Sequence, residues 1–160
     1  MARDLRVPLV FMPPEGWEIG NPDAVGVPDA AFVARAPEAD DGFHANILVC
    51  DVPCKPGDDL STLARRSSLR LAGTSRIEVL DSAAGPPGEV SYYRQLLKVT
   101  SPVRGEERDL LQEQVFLDVD DPRTGFRAVV QFVLTATRAD ASVQRRVFSA
   151  FVRSITAGWA

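Results

Sequence analysis

The stretch FRAVVQFVLTATRADASVQRRVFSAFVRSIT, residues 126–156, decides the fold, because the spacing of its apolar residues changes halfway along. Phe126, Ala128, Val130, Phe132, Leu134 and Ala136 recur every second residue, as one apolar face of a β-strand. The opposite face (Arg127, Val129, Gln131, Val133, Thr135) is mixed, which predicts partial cover by a helix. Beyond Asp140 the period lengthens. Val143, Val147, Phe148, Phe151, Val152 and Ile155 form a single stripe of a helix over about 140–156, with Gln144, Arg145, Arg146 and Arg153 away from it. Asp140 stands where a helix cap belongs. So amphipathic a helix needs a sheet face to lie on. A membrane-surface helix would want a more strongly basic polar face and a larger apolar one.

Before this stretch, the segments RIEVLDS (76–82), EVSYYRQLLKVT (89–100) and RDLLQEQVFLDV (108–119) read as further strands. Their connections AAGPPG, SPVRGEE and DDPRTG are short and turn-rich, predicting antiparallel neighbours joined as a meander. Upstream, VPLVFM (7–12) reads as a short strand halted by Pro13 and Pro14, and Trp17 and Ile19 mark a second one. A loop at 21–29, a strand at AAFVARA (30–36), a turn at PEADDG and a strand over about 43–52 follow. In DDLSTLARRSSLRLAG the period is helical: Leu60, Leu63, Ala64 and Leu71 share a stripe, Asp58 or Asp59 can cap the start, and Gly73 closes the end. These elements predict one α+β domain over residues 1–160, a central antiparallel sheet of about six or seven strands flanked by helices.

A chain of 160 residues can bury roughly two thirds of its unfolded surface, and its 45% hydrophobic and 25% charged content is that of a soluble globular protein. No apolar run approaches the about 18 residues of a membrane span. The start, MARDLRVPLVFMPPEGW, does not read as a signal peptide, since its apolar run stops at Pro13. With two cysteines and no export signal, a reducing cytoplasm is the expected setting. The net charge of −4 weighs against nucleic acid, whose binding runs on a basic face.

Reactive side chains concentrate in GFHANILVCDVPC (42–54), which holds the sole histidine, His44, and both cysteines, Cys50 and Cys54. Along a strand His44 and Cys50 stand roughly 20 Å apart, too far to share a zinc ion that needs ligands at about 2.0–2.3 Å. Cys50 and Cys54 would be roughly 13 Å apart if extended, beyond disulfide reach, although Pro53 can start a turn that brings them closer. A lone histidine without an oriented partner is more often structural than a general base. The acid pairs Asp40-Asp41, Asp58-Asp59, Glu106-Glu107 and Asp120-Asp121 fall in turns or at a helix start, where solvated carboxylates are ordinary. DVDDPRTG (118–125) fails as a calcium loop, because its twelfth position is Val129 rather than glutamate. No glycine-rich nucleotide motif occurs. The residues therefore predict no enzyme, no cofactor and no metal.

Read in order, PPEGW (13–17), AFVAR (31–35), FHANILV (43–49), DLSTLARRS, QVFL (114–117), VVQFVLTAT (129–137) and VFSAFVRSI resemble the PsbP/Mog-type superfamily, and especially the LpqN-like proteins of actinobacteria. The order and spacing of these pieces, over nearly the whole chain, carry the resemblance. It implies a central antiparallel sheet between helices. It also implies a binding or assembly factor rather than an enzyme, Ran-binding in the Mog type and photosystem assembly in the PsbP type. The chain differs from the secreted LpqN type in lacking a lipoprotein signal, which argues against a cell-surface role.

The expected function is thus a non-catalytic cytoplasmic protein-interaction or assembly domain. Its alternatives are a small-molecule or lipid binder and a chaperone for another protein's hydrophobic segment. The partner is another protein, with no nucleic acid and no membrane span, and a homodimer fits the reading. The candidate contact surface is the 20–29 loop with its neighbours: Trp17, Asn21, Asp23, Val25, Asp29 and His44. Core packing is the competing reading of Trp17.

Overall fold

The structure, a computed structural model, describes residues 5, 9–10, 12–85, 91–120 and 124–157. Seven strands form one antiparallel sheet: β2 (Glu18–Ile19), β3 (Phe32–Asp40), β4 (Phe43–Val52), β5 (Arg76–Ala84), β6 (Ser91–Val103), β7 (Glu106–Asp120) and β8 (Arg127–Thr137), in the order β2-β3-β4-β8-β7-β6-β5. Two helices, α1 (Leu60–Ala72) and α2 (Ala141–Arg153), pack on it, and β1 (Leu9–Val10) pairs with β9 (Thr156–Ala157) as a separate ribbon. The expected α+β architecture and the β5–β8 meander are both present. Residues 7, 8 and 11 of the stretch read as a strand at 7–12, and parts of the AAGPPG and DDPRTG connections, lie outside the described residues.

Hairpin chemistry explains why several strands run longer than their sequence pattern. Asp41 (φ 50°) and Gly42 (φ 78°) both take positive φ, as do Arg104 (52°) and Gly105 (81°). Two consecutive positive φ angles make the tight hairpin turn whose twist matches the flanking strands. SPVRGEE therefore shrinks to a two-residue turn, with pairing out to Val103↔Glu106. Residues 37–40 of PEADDG likewise belong to β3. Pro37 has no N–H to give, and the register shifts between Arg35 and Ala39 before pairing resumes at Ala39↔His44.

The alternation of β8 carries the core. Val130, Phe132 and Leu134 face α2 and pack with Ile47, Phe148 and Phe151, all at most 3% exposed. The Phe151 ring stacks on Phe32 at 5.9 Å and meets Phe132 edge-on at 6.2 Å. On the other face Val129 packs with Val52, Phe116, Leu63 and Ala64, the last two from α1. That face also holds a glutamine chain. Gln95 Nε2 donates to Gln114 Oε1 (2.7 Å), Gln114 Nε2 to Gln112 Oε1 (2.5 Å), and Gln112 Nε2 to Thr135 Oγ1 (3.2 Å). Gln95 and Gln131 also bond to Ser68 and Ser67 of α1. Buried amides are thereby satisfied, as burial requires.

Four expectations need correction. Phe126 is not on the apolar face of the last strand. It precedes the first paired residue, Arg127↔Asp120, and is 73% exposed. Val143 belongs to the helical stripe by spacing, yet it is 56% exposed in the first turn of α2. Asp140 occupies the cap position in helical geometry and makes no cap bond; its carboxylate instead accepts from Gln144 Nε2 at 3.1 and 3.3 Å. The last helix ends at Arg153 rather than near 156, because Thr156 and Ala157 turn away to pair with β1.

Candidate functional site

Sheet width and helix width do not match, and the sites follow from that difference. Seven strands about 4.8 Å apart span roughly 29 Å, whereas a helix with its side chains is about 10–12 Å across. One helix per face leaves part of each face uncovered. Helix α1 sits toward β5, β6 and β7, and α2 sits on β8 with Phe32 and Ile47 of the β3–β4 side. The open areas are therefore β2–β4 on the α1 face and β6–β7 on the α2 face.

The residues picked from the sequence divide between these faces. Val25 (56% exposed) and His44 come together in a hollow of about 540 Å³ on the β2–β4 side, with Glu18, Arg35, Asn46 and Leu48. Arg35 Nε donates to Glu18 Oε2 at 2.8 Å across one wall. His44 Nδ1 lies 2.8 Å from the carbonyl of Ala36, so Nδ1 carries the proton and, in the neutral ring, the lone pair is on Nε2. Trp17 is not part of this surface. It is half-buried on the α2 side against Ala36, Ala45 and Ala136 and the Phe148–Phe151 core. Asn21 shapes the loop, its Oδ1 accepting from the amide of Asp23 at 3.0 Å, and Asp23 and Asp29 are exposed loop residues.

Cys50 lies further along β4, on the His44 side of the strand. Both cysteines are free. Burial, assisted by the neighbouring Asp51 carboxylate, pushes the Cys50 thiol up to about 11, and its Sγ donates to Gln131 Oε1 at 3.7 Å. A thiol held protonated in this way is a poor nucleophile.

The larger hollow was not found from the sequence. It is an open groove of about 1010 Å³ between α2 and the β6–β7 ladder. Val115, Leu117 and Val119 form its floor, Tyr92 one wall, and Val152 and Ile155 the helix side. Around this apolar bed stand Arg94, Arg145, Arg146 and Arg153. The one acid of the lining among the described residues, Glu113, is 6% exposed between Arg145 Nε (3.5 Å) and Arg94 Nη1 (3.9 Å). Arg94 also donates to Asp81 Oδ2 at 3.2 Å, while its buried Nη1 has no hydrogen-bond partner. The alternation of Val115, Leu117 and Val119 was visible in the sequence. That α2 would lie beside them and not over them was not.

No family model matches the chain, and no curated protein matches it at a significant level. Solved structures do match. LpqN of Mycobacterium tuberculosis, described as involved in cell envelope biogenesis, superposes with a TM-score of 0.65 at 12% identity, over 96% of this chain and 85% of that one. The Ran-binding protein Mog1p of Saccharomyces cerevisiae gives 0.58 at 14% identity, over 96% of each chain. Cyanobacterial PsbP from Synechocystis gives 0.57 at 16% identity, over 93% of this chain and 86% of that one. At these identities the likeness speaks to architecture. The chain has the PsbP/Mog-type fold.

Proposed function

We propose that the chain is a non-catalytic protein-binding domain of the cytoplasm, and that its main docking surface is the groove beside α2. The observation that carries this reading is an apolar sheet surface left open next to an amphipathic helix and rimmed by arginines. Among the described residues the groove pairs no nucleophile with a base. Its titratable groups there are the arginines, Glu113 and the Tyr92 phenol, and Glu113 is already held between two guanidinium groups. The Ran-binding description of Mog1p is in keeping with a protein partner for this fold. The hollow with Val25 and His44 is a secondary contact in this reading.

A lipid-tail binder is the second reading, favoured by a groove volume well above the roughly 300 Å³ of small ligand pockets. Its weakness is the open side. Small-ligand sites bury about 70–90% of their ligand, and an open trough leaves an acyl chain half wet. The test is a native-lysate pull-down with the parent and with Leu117→Asp, which puts a charge on the groove floor. A stoichiometric partner held by the parent and lost by the folded variant is expected. No partner, or one retained by Leu117→Asp, counts against the groove.

A further inference from the structure

We infer that the α2 groove takes an acidic amphipathic segment of a partner protein, apolar side chains inward and carboxylates along its flank; this rests on the protein-binding reading above. Charge is the first ground. Among the described residues the lining holds four arginines and a single acid, on a chain whose net charge is −4, so the local sign opposes the overall balance. Arg94 and Arg145 are partly neutralised by Glu113 and Asp81. Arg146 and Arg153 are exposed and have no acidic partner among the described residues.

Spacing is the second ground. Arg146 and Arg153 lie two helical turns apart, about 10.5 Å along α2, and both line the groove. One carboxylate cannot meet both. A peptide with acids two turns apart on a helix, or about three residues apart when extended, can. A fatty acid has one head group and would leave the second arginine unpaired. The third ground is the open side of the groove. A protein segment brings its own cover over the half-buried Leu117 of the groove floor, as an acyl chain does not.

The test uses the full chain and three short synthetic peptides with leucine on one helical face, flanked by glutamate, by serine or by lysine, with binding read by fluorescence anisotropy. Oleate serves as the lipid competitor. The variants are Arg146→Glu with Arg153→Glu, both at exposed positions that leave the core untouched, and Leu117→Asp, each checked for folding by circular dichroism. The glutamate peptide should bind the parent, weaken as salt rises, and lose at least about tenfold in affinity with the double charge reversal. The lysine peptide should bind only the reversed variant. If serine and glutamate peptides bind alike, and Leu117→Asp abolishes both, the acidic assignment is overturned while the groove remains a protein-docking site. If oleate binds and the peptides do not, both are overturned in favour of a lipid. Failure of all four ligands overturns both as well. A dimer of the parent that dissociates on charge reversal shows that a second copy fills the groove, which overturns a distinct partner.

Discussion

Gln114 is buried to 1% exposure in the middle of β7, where it accepts from Gln95 and donates to Gln112. Gln114→Leu keeps the volume and removes the link. Gln95 retains its bonds to the Ala64 carbonyl and Ser68, whereas Gln112 Oε1 loses its donor. A loss of about 1–2 kcal/mol is expected from urea unfolding, with the slope unchanged. An unshifted midpoint would show that the network is dispensable. Asp59 gives a pH prediction. Hydrogen bonding to Thr62, first of all, and to Ser61 lowers its carboxyl from the usual 3.8 to about 2. A folded-state pKa below the unfolded one adds stability that is complete above about pH 4 and fades as pH falls toward 2. Acid titration followed by circular dichroism should show this limb in the parent and a flatter one in Asp59→Asn; matching limbs would rule the effect out. The cap at Asp59 was legible because a side-chain oxygen before a helical stripe has one obvious use. Asp140 looked the same in sequence, and only its helical backbone and the nearby Gln144 show that its carboxylate is engaged elsewhere.

Helix α2 shows which part of an element its periodicity can describe. Phe148 and Phe151 are 1% and 3% exposed, and Val143, on the same stripe, is 56% exposed. Phe148→Ala should cost about 3–5 kcal/mol, and Val143→Ala less than about 0.5 kcal/mol beyond its change in helix propensity, both read by denaturant midpoint. Equal losses would mean that the first turn is packed after all. The stripe says which side of a helix is apolar. It does not say where along its length the sheet stops supporting it. The strands behave likewise: Asp-Gly before Phe43 is a strong hairpin signal, but the continuation of β3 past Pro37 depends on a register shift that only pairing with β4 reveals.

At the scale of the molecule, β8 lies inside the sheet between β4 and β7, while β5 forms an edge with almost every residue exposed. Native-state hydrogen exchange should therefore find the Val130 and Phe132 amides opening only with global unfolding, and the β5 amides exchanging through local opening. Protection of β5 equal to that of β8 would mean that its outer edge is covered, as by a second copy. None of the helices among the described residues is long and apolar enough to cross a membrane. The alternation in 126–137, the stripe in 141–153 and the turn-rich connections were enough to specify an α+β meander, since each depends on the period of its own backbone. The lateral position of each helix on the sheet is a different kind of quantity. It depends on how Phe151 meets Phe32 and Phe132, three residues from three elements. The α2 groove exists because one helix about 10–12 Å across covers only part of a sheet about 29 Å wide. Local periodicity thus determined the elements and their apolar faces, and tertiary packing alone decided which of those faces stayed open to bind.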